Sequence, residues 1–190
     1  MDALMNPPRR KPVMVSGLLG TLIFIGTEVM FFAGLMSAFT IVRAGALTGM
    51  WPPPNQPRLP AEATVFNTMV LLGSGVALLV AWLRYRKGKR AFGPALAALL
   101  MGLTFLVLQG REWVALIAQG LTLTSSPLGS FFFLIVGLHG IHAVAACGVL
   151  VGVALKLQRG IITNGHFFAA QAFWYFVVLM WPVIYLRVYF

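Results

Sequence analysis

The stretch LGSFFFLIVGLHGIHAVAACGVLVGVAL, residues 128–155, contains no Asp, Glu, Lys or Arg. A helix rises about 1.5 Å per residue, so roughly 20 apolar residues cross a hydrocarbon core about 30 Å thick. This run is longer than that. Strands of a membrane barrel alternate apolar and polar residues, and this run does not. A helix also satisfies its own backbone where no water is present. Residues 128–155 therefore read as a transmembrane helix.

Four more runs of the same character flank it, at roughly 16–42, 63–83, 92–119 and 167–187. The sequence thus predicts an all-α integral membrane protein, a bundle of five transmembrane helices forming a single membrane domain over residues 1–190. Composition agrees: 59% of residues are hydrophobic and 9% charged, against about a quarter charged in a soluble domain. So few charges cannot cover a water-facing surface.

The connections between the runs orient them. A net charge of +10 often signals nucleic acid, but the basic residues here sit in short clusters between apolar spans. Membrane proteins mark their cytoplasmic loops this way, and anionic lipid headgroups are the natural partners. No nucleic-acid binding is expected. With the N-terminus inside, the inner segments hold Arg9, Arg10, Lys11, Arg84, Arg86, Lys87, Lys89, Arg90, Lys156 and Arg159. The outer segments hold only Arg43, Arg58 and Arg187. Ten against three predicts a cytoplasmic N-terminus and an outside C-terminus. The loop from Arg43 to Glu62 carries Trp51-Pro52-Pro53-Pro54, Pro57 and Pro60, and reads as irregular and extended. No cleavable signal peptide is expected, because the first apolar run is too long for an h-region and no A-x-A-like site follows.

Few residues are equipped for chemistry. The one cysteine, Cys147, lies in an apolar run and reads as a packing residue. Of four acidic residues, Asp2 and Glu62 fall outside the predicted spans, with Glu62 just before the second helix. There a carboxylate is favoured by the helix dipole. Glu28 lies near the middle of the first helix, where an ionisable group must be neutral or paired. It is a functional candidate or an interhelical strut. Glu112 falls near the outer end of the third helix beside Arg111, and reads as an interfacial anchor whose neighbours differ from those of Arg111.

His139 and His142 stand three apart on the fourth helix, on one broad face; His166 opens the fifth. Two histidines without further ligands do not make a metal site. Counting from the inner helix ends puts Glu28 about 18 Å and His142 about 21 Å up, with His139 a turn higher. Both groups need a partner in a low-dielectric setting, so Glu28 and His142 are expected to form an intramembrane polar pair, structural or proton-related. No catalytic, cofactor-binding or metal residues are expected. The small residues Gly73, Ser74 and Gly75 read as close helix packing.

Several of these residues also fall into a pattern. Thr27-Glu28-Val29-Met30-Phe31-Phe32-Ala33-Gly34, Trp51-Pro52-Pro53, Asn67-Thr68 with Leu71-Leu72 and Ser74-Gly75-Val76, and Leu108-Gln109 with Glu112-Trp113 occur in order. Gly129-Ser130 with Phe132-Phe133, then Gly137, His139-Gly140 and His142, complete it. The pattern resembles subunit III of the haem-copper oxidases (cytochrome c or quinol oxidases), in the five-helix form that lacks two N-terminal helices. The fifth helix departs from it: Tyr175 and Val178 stand where the family typically has His and Asp, and Phe167-Phe168-Ala169-Ala170 stands where an acidic residue is usual.

The resemblance implies a non-catalytic subunit that binds no haem or copper itself. It would pack against catalytic subunit I and other oxidase subunits, bind phospholipid, and support proton uptake and stability. Haem and copper would reside in the partner catalytic subunit, and the complex in a bacterial-type inner (cell) membrane, with this chain multi-pass. Alternative readings are an accessory subunit of a nitric oxide reductase, a stand-alone proton-coupled transporter using Glu28 and the histidines, and a haem-bearing anchor.

Overall fold

The computed structural model describes residues 16–46, 51, 53 and 56–190. The Arg9-Arg10-Lys11 cluster, Asp2, and Pro52 and Pro54 of the proline-rich loop lie outside the described residues. Five helices follow in order: α1 Ser16–Ala44, α2 Ala61–Arg86, α3 Phe92–Ala118, α4 Pro127–Gln158 and α5 Asn164–Val188. All five are long and apolar enough to cross a membrane.

The ends are set by local chemistry. Ser126 caps α4, its hydroxyl accepting from the Gly129 N–H at 3.1 Å, and Pro127 takes the first helical position, where a missing N–H costs nothing. Thr163 caps α5 by accepting from the His166 N–H. α2 ends in a left-handed Gly88 (φ 65°), with the Lys89 N–H donating to the Arg84 carbonyl at 2.9 Å and the Gly88 N–H to that of Tyr85 at 3.0 Å. Gly160 closes α4 in the same way. Both turns are two-bond caps that need φ > 0.

Such caps carry α2 and α4 past the apolar limits read from sequence. α2 extends to Arg86, and it starts early enough that Glu62 lies inside its first turn rather than ahead of it. α5 starts at Asn164, three residues sooner than expected, because Thr163 supplies the cap.

α5 is the centre of the bundle. Just over half of its spanning window (56%) is buried, against 6% for α1. α2, α3, α4 and α1 form an arc around it in that order, with no contact between α1 and α2 among the described residues. The core is aromatic: Trp174, Trp181, Phe32, Phe39, Phe105, Phe132 and Phe167 are fully buried.

Tryptophans and tyrosines stitch α2 to α5. Trp174 Nε1 donates to Ser74 Oγ at 3.2 Å, Trp181 Nε1 to Thr68 Oγ1 at 2.9 Å, and Tyr185 Oη to the Ala61 carbonyl at 2.9 Å. The later the residue on α5, the earlier its partner on α2, as antiparallel helices require. Small residues let the helices close: a Cβ on Gly102 would fall 2.4 Å from Trp174 Cη2, and one on Gly75 3.2 Å from Val178 Cγ1.

Polar side chains on the outer faces bond inward to their own helix. Thr21, Thr40 and Thr104 donate to the carbonyls of Gly17, Met36 and Leu100 at 2.8–2.9 Å. Such back-bonding leaves no hydroxyl unsatisfied toward lipid.

Candidate functional site

α1 and α4 bring Glu28 and His142 together. Glu28 Oε2 lies 3.2 Å from His142 Nε2, with the side chains 19% and 14% exposed. His142 Nδ1 lies 2.7 Å from the Leu138 carbonyl oxygen, one turn back on α4. A carbonyl only accepts, so Nδ1 carries the hydrogen. A hydrogen bond across this 3.2 Å contact needs one further proton between Nε2 and Oε2. It belongs either to a carboxylic acid donating to imidazole or to an imidazolium donating to carboxylate. The pair is neutral overall in both forms, which is the condition a membrane interior imposes.

Aromatic rings frame the imidazole. Phe24 stacks on it at 6.3 Å between centroids, and Phe32, Phe173 and Phe176 meet it at 5.6, 6.5 and 5.7 Å. Three helices therefore hold His142 in an apolar wall, with Glu28 as its side-chain partner. The contact joins α1 to α4.

His139 does not share that site. Three residues advance a helix by about 300°, so the two histidines lie about 60° apart on one broad face, and both meet the Phe32 ring, at 6.4 and 5.6 Å. That offset turns His139 inward, where it is 1% exposed. It packs against Trp181 at 5.1 Å and Phe105 at 6.2 Å. Neither of its ring nitrogens has a partner among the described residues, nor has Trp113 Nε1. Both side chains line an apolar cleft of ≈ 510 Å³ between α3 and α4. His166 lies elsewhere again, in the first turn of α5, with Nδ1 2.7 Å from Thr163 Oγ1. Among the described residues, no three His, Cys, Asp or Glu side chains gather into a ligand group.

Glu112 was read as an interfacial anchor, and the structure engages it more deeply. Its Oε2 accepts from Thr64 Oγ1 at 3.0 Å and from Gln109 Nε2 at 3.1 Å. Gln109 Nε2 also reaches Tyr189 Oη at 3.2 Å, and Gln109 Oε1 accepts from Asn67 Nδ2 at 3.1 Å. The network joins α2, α3 and the end of α5. Burial, and then the neighbouring carboxyl of Glu112, hold the Tyr189 hydroxyl above its ordinary range, so it remains neutral.

Thr64 and Tyr189 were not singled out from sequence. The available signal was spacing: Asn67 and Thr64 stand three apart on α2, and Gln109 and Glu112 three apart on α3. Each pair presents one polar spot to a neighbouring helix.

On α5, Tyr175 occupies a polar niche of its own. Gln171 Nε2 donates to Tyr175 Oη at 3.0 Å, and Tyr175 Oη donates to the Gly75 carbonyl at 3.4 Å. Val178 packs on Gly75. Two of the three departures on this helix, Tyr175 and Val178, thus meet one small residue of α2.

A family model described as "Cytochrome c oxidase subunit III" matches residues 6–190. The chain is 33% identical over 188 residues to "Cytochrome c oxidase subunit 3" of Mus musculus, covering 94% of this chain and 71% of that one. It is 34% identical over 188 residues to the Oryctolagus cuniculus protein of the same name, with the same coverage. It is also 35% identical over 191 residues to "Probable cytochrome c oxidase subunit 3" of Mycobacterium leprae (strain TN), covering 95% of this chain and 89% of that one. The Glu28–His142 pair, the Glu112 network and the α2–α5 seam are therefore features of a chain that belongs to the cytochrome c oxidase subunit III family.

Proposed function

We propose that this chain is the non-catalytic subunit III of a haem-copper terminal respiratory oxidase. The family match over residues 6–190 carries this reading. The relatives bear the name of that subunit. The chain packs against catalytic subunit I and other oxidase subunits in a bacterial-type cell membrane, with its N-terminus on the cytoplasmic side. Haem and copper reside in the catalytic subunit. The role of this chain is to bind lipid, stabilise the complex and support proton uptake.

The exposed apolar faces suit that role. Along α1, Leu22, Ile23, Val29, Met30 and Ile41 are exposed, and lipid or a neighbouring subunit must cover them. Glu28 and His142 are partly open, at 19% and 14% exposure. Their shared proton makes them the candidates for any proton-linked role, and Glu112 and His139 serve packing.

The test is purification of the tagged chain from gently solubilised membranes, followed by mass spectrometry and an absorption spectrum. A haem-bearing catalytic subunit is expected in the complex, with no haem band from the isolated chain. Isolation without any haem-containing partner, or proton flux by the purified chain alone in liposomes, would overturn the proposal.

A further inference from the structure

The turn between α2 and α3 concentrates charge at one end of the bundle. Arg84, Lys87, Lys89 and Arg90 surround a hollow of ≈ 430 Å³, whose remaining walls are Val80 and Leu83. The fifth cation of the turn, Arg86, lies instead over the Trp82 ring, 5.9 Å from its centroid. The turn's main-chain cap fixes the backbone under these side chains. The Lys87, Gly88 and Lys89 N–H groups all bond back to the Arg84 and Tyr85 carbonyls at 2.9–3.1 Å.

Among the described residues, no carboxylate answers this charge. The one ion pair among the described residues joins His142 to Glu28, in the middle of the bundle. Glu62 and Glu112 lie toward the opposite ends of α2 and α3, about 30 Å away along each helix.

The hollow also opens onto an apolar track. Val76, Leu79, Val80 and Leu83 are all exposed on α2, at the three- and four-residue spacing that makes one stripe along a helix. Four cations at the head of an apolar stripe, where a membrane-spanning helix ends, match an anion that carries hydrocarbon chains.

We infer that this hollow binds the phosphate group of an anionic phospholipid, whose acyl chains lie along α2 past Leu83, Val80 and Val76. The inference deepens the lipid-binding part of the proposed function. It depends on the helices spanning a membrane, and not on which subunits copurify. Lys or Arg beside an anionic membrane surface contributes about fivefold in affinity per charge.

The experiment titrates the purified full chain in detergent with fluorescent phosphatidylglycerol. The pocket variant is Lys87→Gln with Arg90→Gln. A control, Arg159→Gln, removes a cation from the α4–α5 turn at the same end. The pocket variant is expected to bind about 25-fold more weakly, two charges at about fivefold each. The control should stay within about twofold of the native chain, because Arg159 is outside the hollow.

Circular dichroism checks that the helices persist; should the first variant lose them, Arg84→Gln with Lys89→Gln takes its place. Three results would overturn the inference. They are undiminished binding by the folded pocket variant, equal weakening by the control, and equally tight binding of phosphatidylcholine. Displacement of the labelled lipid by inorganic phosphate as effectively as by unlabelled phosphatidylglycerol would refute the lipid as occupant. Copurification of oxidase subunits is scored separately, so the two proposals fail independently.

Discussion

Gly102→Ala adds one carbon at the tightest helix contact that a tryptophan makes in this bundle. The new Cβ would fall 2.4 Å from Trp174 Cη2, 2.9 Å from Cζ2 and 3.2 Å from Cys147 Sγ. Trp174 is 1% exposed, and its indole N–H is held by Ser74 Oγ at 3.2 Å. The ring cannot pivot without giving up that bond. Overpacking costs about 1–3 kcal/mol, and losing the hydrogen bond about 0.5–1.5 kcal/mol. Alanine's better helix propensity returns about 0.5–1 kcal/mol. The sum remains unfavourable, at about 0.5–4 kcal/mol.

Unfolding in detergent, followed by circular dichroism, measures the change. Trp174→Phe in the same background removes both clashing ring atoms. Ser74 keeps its own bond to the Leu71 carbonyl at 2.5 Å, so the double variant should recover most of the loss relative to Trp174→Phe alone. A Gly102→Ala chain as stable as the native one, or the same loss with Phe at 174, would refute the packing argument.

Glu28→Gln keeps a hydrogen bond to His142 Nε2 and should cost under about 1 kcal/mol, whereas Glu28→Ala leaves that nitrogen unpaired and should cost about 1–3 kcal/mol; thermal melts of the complex separate them. If the pair has a proton-linked role, Glu28→Gln also slows turnover of the assembled oxidase while leaving its stability near native. Ser126→Ala removes the α4 cap and should destabilise by about 1 kcal/mol, read in the same melts. Glu112→Leu deprives Gln109 and Thr64 of their common acceptor and should cost about 1–3 kcal/mol, with Glu112→Gln much milder. Lys89→Cys should label only from the cytoplasmic face and Ser125→Cys only from the outside, with Cys147 silent because it is buried; reversed labelling would invert the proposed topology.

The helices were legible because apolar length is a local property. Their ends were less so. α2 runs on through Tyr85 and Arg86, and α5 starts at a threonine cap; both are decided by hydrogen bonds that a hydropathy count does not register. Depth is additive in residue number, which is why arithmetic sets Glu28 and His142 at one level. Direction around the helix is additive too, but the roughly 60° between the two histidines decides that His139 is buried while His142 meets Glu28. The α2–α5 seam was hidden for another reason. Ser74 reads from the sequence as a packing residue, but only an antiparallel neighbour makes Ser74, Thr68 and Ala61 hydrogen-bond partners for Trp174, Trp181 and Tyr185.

That seam has a consequence for biogenesis. Trp174 follows its acceptor Ser74 by 100 residues. At about 5–20 residues per second of synthesis, α2 waits roughly 5–20 s in or beside the insertion machinery before its partner helix exists. During that interval α2 lacks the helix that becomes the centre of the bundle. A chain stopped before α5 would hold four inserted helices around an empty axis, a ready target for membrane quality-control proteases.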